Sequence, residues 1–304
     1  MTVLRVERVV YGVEDVQECE RFFLDLGLES VPPTGGGVEL ATRAGQVIEL
    51  RPKADVTLPP PVEAGSTLRE IVWGLDTSEA LAEAVRLISA DRDVTVVDGT
   101  AHARDQTGFG VGLAIAEPKP LDRAAFGYNS PGNVERWNAP QRRVGRVHPS
   151  RLCHVALNIP KAGREEAVAF YVDRLGFRVT DDVRDMGVFM RAQGDHDQHT
   201  FLLCHRPDKA GLNHAAYEVE NFDEVVVGVN HMVEAGWREA RKLGRHTVGS
   251  NVFRFVHAPC GGRVELAADM DRVDDSYGPN RHEETPPHHL WQLETNRDGG
   301  DGHV

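Results

Sequence analysis

Apolar residues recur along this chain in two alternating rhythms. Short runs rich in β-branched and aromatic residues, such as Val9-Val10-Tyr11-Gly12-Val13, predict strands. Stretches with apolar side chains three or four positions apart, such as Cys19, Phe22, Phe23 and Leu26, predict amphipathic helices. The order of the two repeats four times. The first copy predicts a strand over 8–13 and a helix over 15–26 stopped by Gly27, then short strands around 30–31, 37–40 and 46–50. Pro- and Gly-rich turns between these strands favour a meander. The third copy repeats the plan with a strand over 153–159, a helix over 164–175 stopped by Gly176, and strands near 177–179, 187–191 and 200–204. The likeness reaches single residues: Arg21-Phe22-Phe23-Leu24-Asp25-Leu26-Gly27-Leu28 stands against Ala169-Phe170-Tyr171-Val172-Asp173-Arg174-Leu175-Gly176-Phe177. Copies two and four open with strands at 68–76 and 212–220, followed by helices over 78–90 and 221–236.

Each copy reads βαβββ, and one curved sheet of that size cannot bury its own inner face. The expected fold is therefore α+β, with four βαβββ modules paired into two domains, each an incomplete barrel-like curved sheet. The boundaries fall at 1–117 for the first pair and 150–272 for the second. Residues 118–149, rich in Pro, Gly, Asn and Arg with little periodicity, form the expected linker. Residues 273–304 read as a polar tail, in which Leu290-Trp291 is expected to dock and 298–302 to be disordered.

Composition narrows the class. The chain has 304 residues, 40% of them hydrophobic and 27% charged, as in ordinary globular proteins. No apolar run approaches the ~20 residues of a membrane span, and the N-terminus has no basic segment leading into an apolar one. The four cysteines, Cys19, Cys153, Cys204 and Cys260, show no CxxC pairing. They read as reduced thiols of a cytoplasmic protein. A formal charge of −13, with Gln141-Arg142-Arg143-Val144-Gly145-Arg146 as the nearest basic run, argues against a nucleic-acid partner.

Three ionisable residues interrupt apolar runs in the second half. They read Cys153-His154-Val155-Ala156-Leu157, Leu212-Asn213-His214-Ala215-Ala216-Tyr217 and Gly262-Arg263-Val264-Glu265-Leu266. Burying such a group alone is costly. Singly, His154 reads as a satisfied core histidine and Glu265 as an exposed edge-strand acid. Jointly, two imidazoles and a carboxylate make the facial ligand set of a non-haem Fe(II) site, which leaves positions open for a diol and O2. In the first half the corresponding positions carry Arg8, Glu70 and a residue near Gly112, so that half is expected to be metal-free and to serve as scaffold, oligomer contact or lid.

Paired βαβββ units with His154, His214 and Glu265 at these strand positions resemble the vicinal oxygen chelate superfamily. Within it, the two-domain length resembles the type I extradiol ring-cleavage dioxygenases. The likeness spans nearly the whole chain but is specific only in the second half. There, Gly244-Arg245-His246-Thr247, with Phe255, Pro259 and Gly261 before Glu265, approximates the family signature. The resemblance implies that His154, His214 and Glu265 bind Fe(II), with Mn(II) as the occasional substitute, and that O2 is the co-substrate. It implies further that His199 is the acid–base histidine and that His246 hydrogen-bonds a substrate oxygen. The implied partner is a small aromatic diol, in a homo-oligomeric protein that engages no membrane. Phe189, Phe253 and Phe255, all on strands, are candidates to wall an apolar pocket.

Two positions depart from the family pattern. Phe255 stands where a tyrosine is usual, and Val248-Gly249-Ser250 replaces the usual acidic residue after His246. Both departures keep two other readings open: a non-oxidative isomerase or lyase of the same superfamily, and a ligand-binding protein without turnover. Arg184, Arg191 and Arg254 are candidates to meet a carboxylate on the ring, against a plain surface role. The segment 195–199 reads as polar and exposed if His199 has no function, and His282, His288 and His289 read as part of a solvated tail.

Overall fold

The first apolar run folds into a longer strand than its pattern predicts. In this computed structural model, which describes residues 2–34, 36–122 and 127–294, β1 spans Val3–Val13. Val3, Val6 and Val9 are all buried, a spacing of three rather than two. Register shifts between Val3 and Arg5 and between Val6 and Arg8 account for it, because each bulge adds a residue to the alternation. Helix α1 (Val16–Leu26) follows, its first turn capped by Asp15, which accepts from the Glu18 N–H at 2.8 Å. Gly27 ends it in the left-handed conformation, φ 103°. Strands β2 (Glu29–Val31), β3 (Val38–Ala41) and β4 (Val47–Pro52) form the expected antiparallel meander, and β4 then pairs with β1 in parallel. The second module contributes β5 (Thr67–Leu75), α2 (Ser78–Ile88), β6 (Thr95–Val97), β7 (Thr100–Arg104) and β8 (Gly110–Ile115). Together they make an eight-stranded sheet in the order β2-β3-β4-β1-β5-β8-β7-β6.

The second half repeats the design. Its elements are β9 (Arg151–Pro160), α3 (Arg164–Ala169), β10 (Arg178–Val183), β11 (Gly187–Arg191), β12 (Phe201–Arg206), β13 (Gly211–Glu218), α4 (Phe222–Glu234), β14 (Glu239–His246), β15 (Val252–His257) and β16 (Arg263–Ala268). In both halves the first strands of the paired modules lie antiparallel at the centre of the sheet, β1 against β5 and β9 against β13. The predicted helix over 164–175 is α-helical only to Ala169 and then widens into a π turn over Phe170–Arg174. Phe170 and Tyr171 are adjacent yet both buried there, and the Tyr171 hydroxyl donates to Asp105 Oδ2 of the first half at 2.8 Å.

The expected polar tail contains two further strands. β17 (Asn280–His282) pairs in parallel with β10, and β18 (His289–Gln292) pairs antiparallel with β14. They become the outermost strands of a ten-stranded sheet, β17-β10-β11-β12-β9-β13-β16-β15-β14-β18. Trp291 docks through its backbone opposite Arg245, while the Leu290 side chain stays 60% exposed. Residues 298–302 lie outside the described ones.

The two halves share one apolar core. Trp73 of β5 meets Phe177 and Phe201 edge-on, with ring centres 4.8 and 5.2 Å away, and Phe22 of α1 meets Trp237 at 5.0 Å. Gln46 bridges the backbones: its amide nitrogen donates to the carbonyls of Val6 and Leu152, each at 2.8 Å, and its oxygen accepts from the Leu152 N–H at 2.7 Å. No described helix is long and apolar enough to cross a membrane.

Candidate active site

Three neighbouring central strands of the second sheet bring the interrupted apolar runs together. His154 lies on β9, opposite Ala216 of β13; His214 of β13 lies opposite Ala156 of β9; Glu265 of β16 pairs with Ala216. All three residues are buried. His154 Nε2 is 3.1 Å from His214 Nε2, and Glu265 Oε2 is 3.2 Å from the first and 3.3 Å from the second. Among the described residues this is the only cluster of His, Cys, Asp and Glu with metal-ligand spacing.

The far sides of both imidazoles decide what their near sides can do. His214 Nδ1 faces Asn213 Oδ1 at 2.8 Å. That oxygen must be the acceptor end of the amide, because the Arg263 guanidinium, donor only, also points at it. His214 therefore carries its proton on Nδ1. His154 Nδ1 faces Cys153 Sγ at 3.6 Å, and the thiol in turn donates to the Ala216 carbonyl at 3.3 Å. Both Nε2 atoms thus present bare lone pairs to each other and to a carboxylate oxygen that, among the described residues, accepts no hydrogen bond. Burial pushes the His214 imidazole down to about 3, which keeps it neutral. Three lone-pair atoms in contact repel unless a cation lies between them. Their separations match the edges of a coordination shell with bonds of ~2.1–2.3 Å. The donor set, two imidazoles and one carboxylate, fits a divalent first-row metal with open positions.

His199 and His246 stand on either side of this cluster. His199 lies two residues before β12 begins, its ring centre 4.4 Å from that of His154. It is buried, not exposed, and so are Asp195, Asp197 and Gln198 before it, while His196 is exposed: Asp197 pairs with Arg151 and Arg272, and Asp195 pairs with Arg151 at 3.1 Å. His199 Nδ1 donates to Gln198 Oε1 at 2.6 Å, and Gln198 Nε2 donates to Asp181 Oδ2 at 2.5 Å. The Asp181 carboxylate fixes the amide, the amide fixes the tautomer, and His199 Nε2 is left bare. Burial, with His154 beside it, holds the His199 imidazole well below its usual range. His246, at the end of β14, has Nε2 3.7 Å from Glu265 Oε1, an oxygen that also accepts from Asn251 Nδ2 at 2.9 Å.

The three phenylalanines each pack against a histidine of the site and so wall the cleft around it. Phe189 meets His199 edge-on at 5.1 Å, Phe253 stacks on His246 at 4.0 Å, and Phe255 meets His214 edge-on at 5.2 Å. Where the family's acid is missing, Gly249 turns in the left-handed conformation, φ 83°, against the site. A Cβ there would lie 3.1 Å from Gln198 Oε1 and 3.2 Å from His199 Cε1.

Other expectations need correction. Arg184, Arg191 and Arg254 do not face the cleft as free cations: Arg184 lies 3.8 Å from Glu283, Arg191 pairs with Asp275 at 2.6 Å, and Arg254 pairs with Glu239 at 2.7 Å. The tail histidines are not merely solvated. His282 Nε2 lies 2.6 Å from Asp181 Oδ1, the His288 carbonyl faces His246 Nδ1 at 3.4 Å, and the His289 ring centre is 5.5 Å from that of His246. Gln198, Asn213, Asp181 and Asn251 were missed by sequence reasoning. The one available signal is that Gln198 and Asn213 each directly precede a candidate histidine. In the first half, Arg8 sits between Glu39 and Glu49, at 2.7 Å from each, and Glu70 faces His102 Nδ1 at 2.9 Å.

Comparison with known proteins finds its sequence matches in the half of the chain that carries this cluster. Residues 151–266, which hold all five candidate metal and acid–base residues, match the model of the Glyoxalase/Bleomycin resistance protein/Dioxygenase superfamily. Metapyrocatechase 2 of Cupriavidus necator is 37% identical over 144 residues, 47% of this chain and 44% of the relative. The chain spans about half the length of the first curated relatives it matches. Among solved structures, a Mn(II)-bound glyoxalase from Novosphingobium aromaticivorans superposes with TM-score 0.75 at 21% identity, over 100% of this chain and 96% of the other. A halotolerant catechol dioxygenase superposes with TM-score 0.74 at 18% identity, over 98% and 96%. The module pair that carries the His154, His214 and Glu265 cluster is thus similar in sequence to the Glyoxalase/Bleomycin resistance protein/Dioxygenase superfamily, and the whole chain shares the fold of these solved structures.

Proposed function

We propose that the protein is a metal-dependent extradiol dioxygenase that opens a catechol-type ring with O2. The observation that carries the reading is the convergence of His154 Nε2, His214 Nε2 and Glu265 Oε2 within 3.3 Å, flanked by a buried neutral His199. His154, His214 and Glu265 would hold Fe(II), with Mn(II) as the alternative. When bound, the metal would lower the pKa of a chelated diol and bring diol and O2 together.

The chain's own groups do the rest. His199 Nε2, bare and neutral, takes the proton that a diol hydroxyl releases and returns one to oxygen when the ring opens. Gln198 and Asp181 keep that ring in one tautomer and one orientation. His246 Nε2 reaches the other side of the cluster and hydrogen-bonds a diol oxygen there. Asn251 holds Glu265 Oε1, leaving Oε2 directed at the imidazoles. Phe189, Phe253 and Phe255 exclude water, which strengthens each polar contact within the cleft.

The test is anaerobic loading with Fe(II), followed by a catechol panel and O2. Oxygen uptake with a yellow ring-opened product is the expected outcome, and His199→Gln should lower kcat by about 10²–10⁴-fold. Phe255, which has no hydroxyl to offer a bound diolate, favours a second reading: non-oxidative isomerase or lyase chemistry in the same site. Turnover supported by Zn(II) or Mg(II) without O2, and none with Fe(II) and O2, would establish that reading and overturn the first.

A further inference from the structure

The cleft holds more positive charge than the metal ligands balance. Phe255 of β15 lies between two cross-strand partners, Arg241 of β14 on one side and Glu265 of β16 on the other. Arg263 precedes Glu265 by two positions, so both project from the same face of β16. The Arg263 guanidinium carbon is 5.2 Å from the centre of the Phe255 ring, and that of Arg241 is 5.5 Å from it. A third cation, Arg206, follows Leu202 and Cys204 along the cleft-facing side of β12. All three arginines are partly buried.

Their partners do not neutralise them. Arg263 donates to Asn213 Oδ1 and Arg206 to the His205 carbonyl, both uncharged acceptors. Among the described residues the Arg241 guanidinium has no hydrogen-bond or ion-pair partner, its contact being the Phe255 ring. The carboxylate whose charge acts on both Arg241 and Arg263 is Glu265, and a divalent metal would claim it. With two neutral imidazoles, one carboxylate, a divalent ion and three guanidiniums, the cleft would carry a net charge of about +4. Like charges gathered in a half-buried site repel and are tolerated where an anion arrives to meet them. A chelated diol supplies part of that negative charge, at the metal. The arginines lie elsewhere: strand register sets Arg263 level with His214, and Arg206 level with Pro160 at the far end of β9, away from His199.

Resting on the dioxygenase reading, we propose that Arg241 and Arg263, with Arg206 behind them, form an anion subsite that selects a diol whose ring carries a carboxylate-class substituent. The diol end meets the metal ligands and the anionic end meets the guanidiniums, which present paired N–H donors suited to two carboxylate oxygens. Phe255, between the two, is the surface on which the ring would rest.

The experiment measures anaerobic binding to the Fe(II)-loaded protein by calorimetry. The probes are 2,3- and 3,4-dihydroxybenzoate and 3,4-dihydroxyphenylacetate, against 3- and 4-methylcatechol. At least one carboxylate should bind tenfold or more tightly than its methyl counterpart, and that preference should shrink as salt rises. Arg241→Gln and, independently, Arg263→Gln should each cut the ratio of the two affinities at least tenfold, while Arg241→Lys should retain part of it. Equal affinity for carboxylate and methyl diols, or a ratio unmoved in both variants, overturns the subsite. Oxygen uptake is read in parallel. Ring cleavage without carboxylate preference overturns the subsite alone; preference without ring cleavage overturns the dioxygenase reading alone; failure of every diol to bind overturns both.

Discussion

Phe255 is the residue on which the proposed turnover would most depend. Its ring is 1% exposed, meets His214 edge-on at 5.2 Å, and has a guanidinium on each of two sides. A para hydroxyl would add the one hydrogen-bond donor this wall lacks, and one such bond contributes about 0.5–1.5 kcal/mol. Phe255→Tyr should therefore raise kcat/KM toward unsubstituted catechol by roughly two- to twelvefold, as measured by oxygen uptake. Complete loss of turnover would mean that the hydroxyl collides with substrate and that Phe255 acts by shape. At this scale the His154, His214 and Glu265 cluster was legible in the sequence, because each residue interrupts an apolar run where an unpaired charge is costly. Gln198 and Asn213 were not, since amides at strand ends are common and only the fold reveals that their oxygens face imidazoles. The pairing of the arginines was hidden for a related reason: nothing in the sequence distinguishes Arg254, bound to Glu239, from Arg241, which has no carboxylate within ion-pair distance among the described residues.

Among the elements, the two tail strands have the largest claim on function. β17 brings His282 to Asp181, the far end of the chain of bonds that orients His199. β18 pairs with the end of β14, and the His288 carbonyl just ahead of it lies beside His246 Nδ1. A protein lacking residues 279–304 should still fold, since β9 to β16 still pair with one another and only β10 and β14 each lose one neighbour. Its melting temperature should fall by a few degrees, because two short edge strands account for ~1–2 kcal/mol. Turnover should fall further, by about tenfold or more, as both flanking histidines lose an anchor. Calorimetry and oxygen uptake on one preparation separate the two effects; unchanged turnover would confine the tail to a structural part. These strands escaped notice because they are three and four residues long and mostly exposed, without the alternation that marks a strand. The opening strands of the four modules were plain, because burial on both faces makes them continuous apolar runs.

For the molecule as a whole, the shared core sets how it comes apart. Cys19 and Cys260, from opposite halves, belong to the same apolar cluster, while Cys153 and Cys204 line the second sheet. All four thiols are buried, and burial pushes them up, Cys204 to about 11 and Cys19 to about 12. Iodoacetamide should leave all four unmodified in the folded protein at neutral pH. During denaturant unfolding all four should become reactive in one transition, coincident with loss of circular dichroism. Earlier labelling of Cys19 alone, followed by mass spectrometry, would show that the first half opens independently. The repeat was visible in the chain; the fusion of the halves was not, because Trp73, Phe177 and Phe201 are far apart in sequence and each reads as core of its own module.

The tail strands also say something about how the second sheet is closed. β17 and β18 are its two outermost members, yet only residues 283–288 separate them in sequence. Laid flat at ~4.8 Å per gap, ten strands would hold those edges roughly 43 Å apart. The seven peptide steps from His282 to His289 can reach at most about 25 Å. The sheet must therefore curl until one short span ties its two rims together, like the string across a drawn bow. The same span joins the strand that holds His282 against Asp181 to the strand beside His246, so one short segment tethers both flanks of the site.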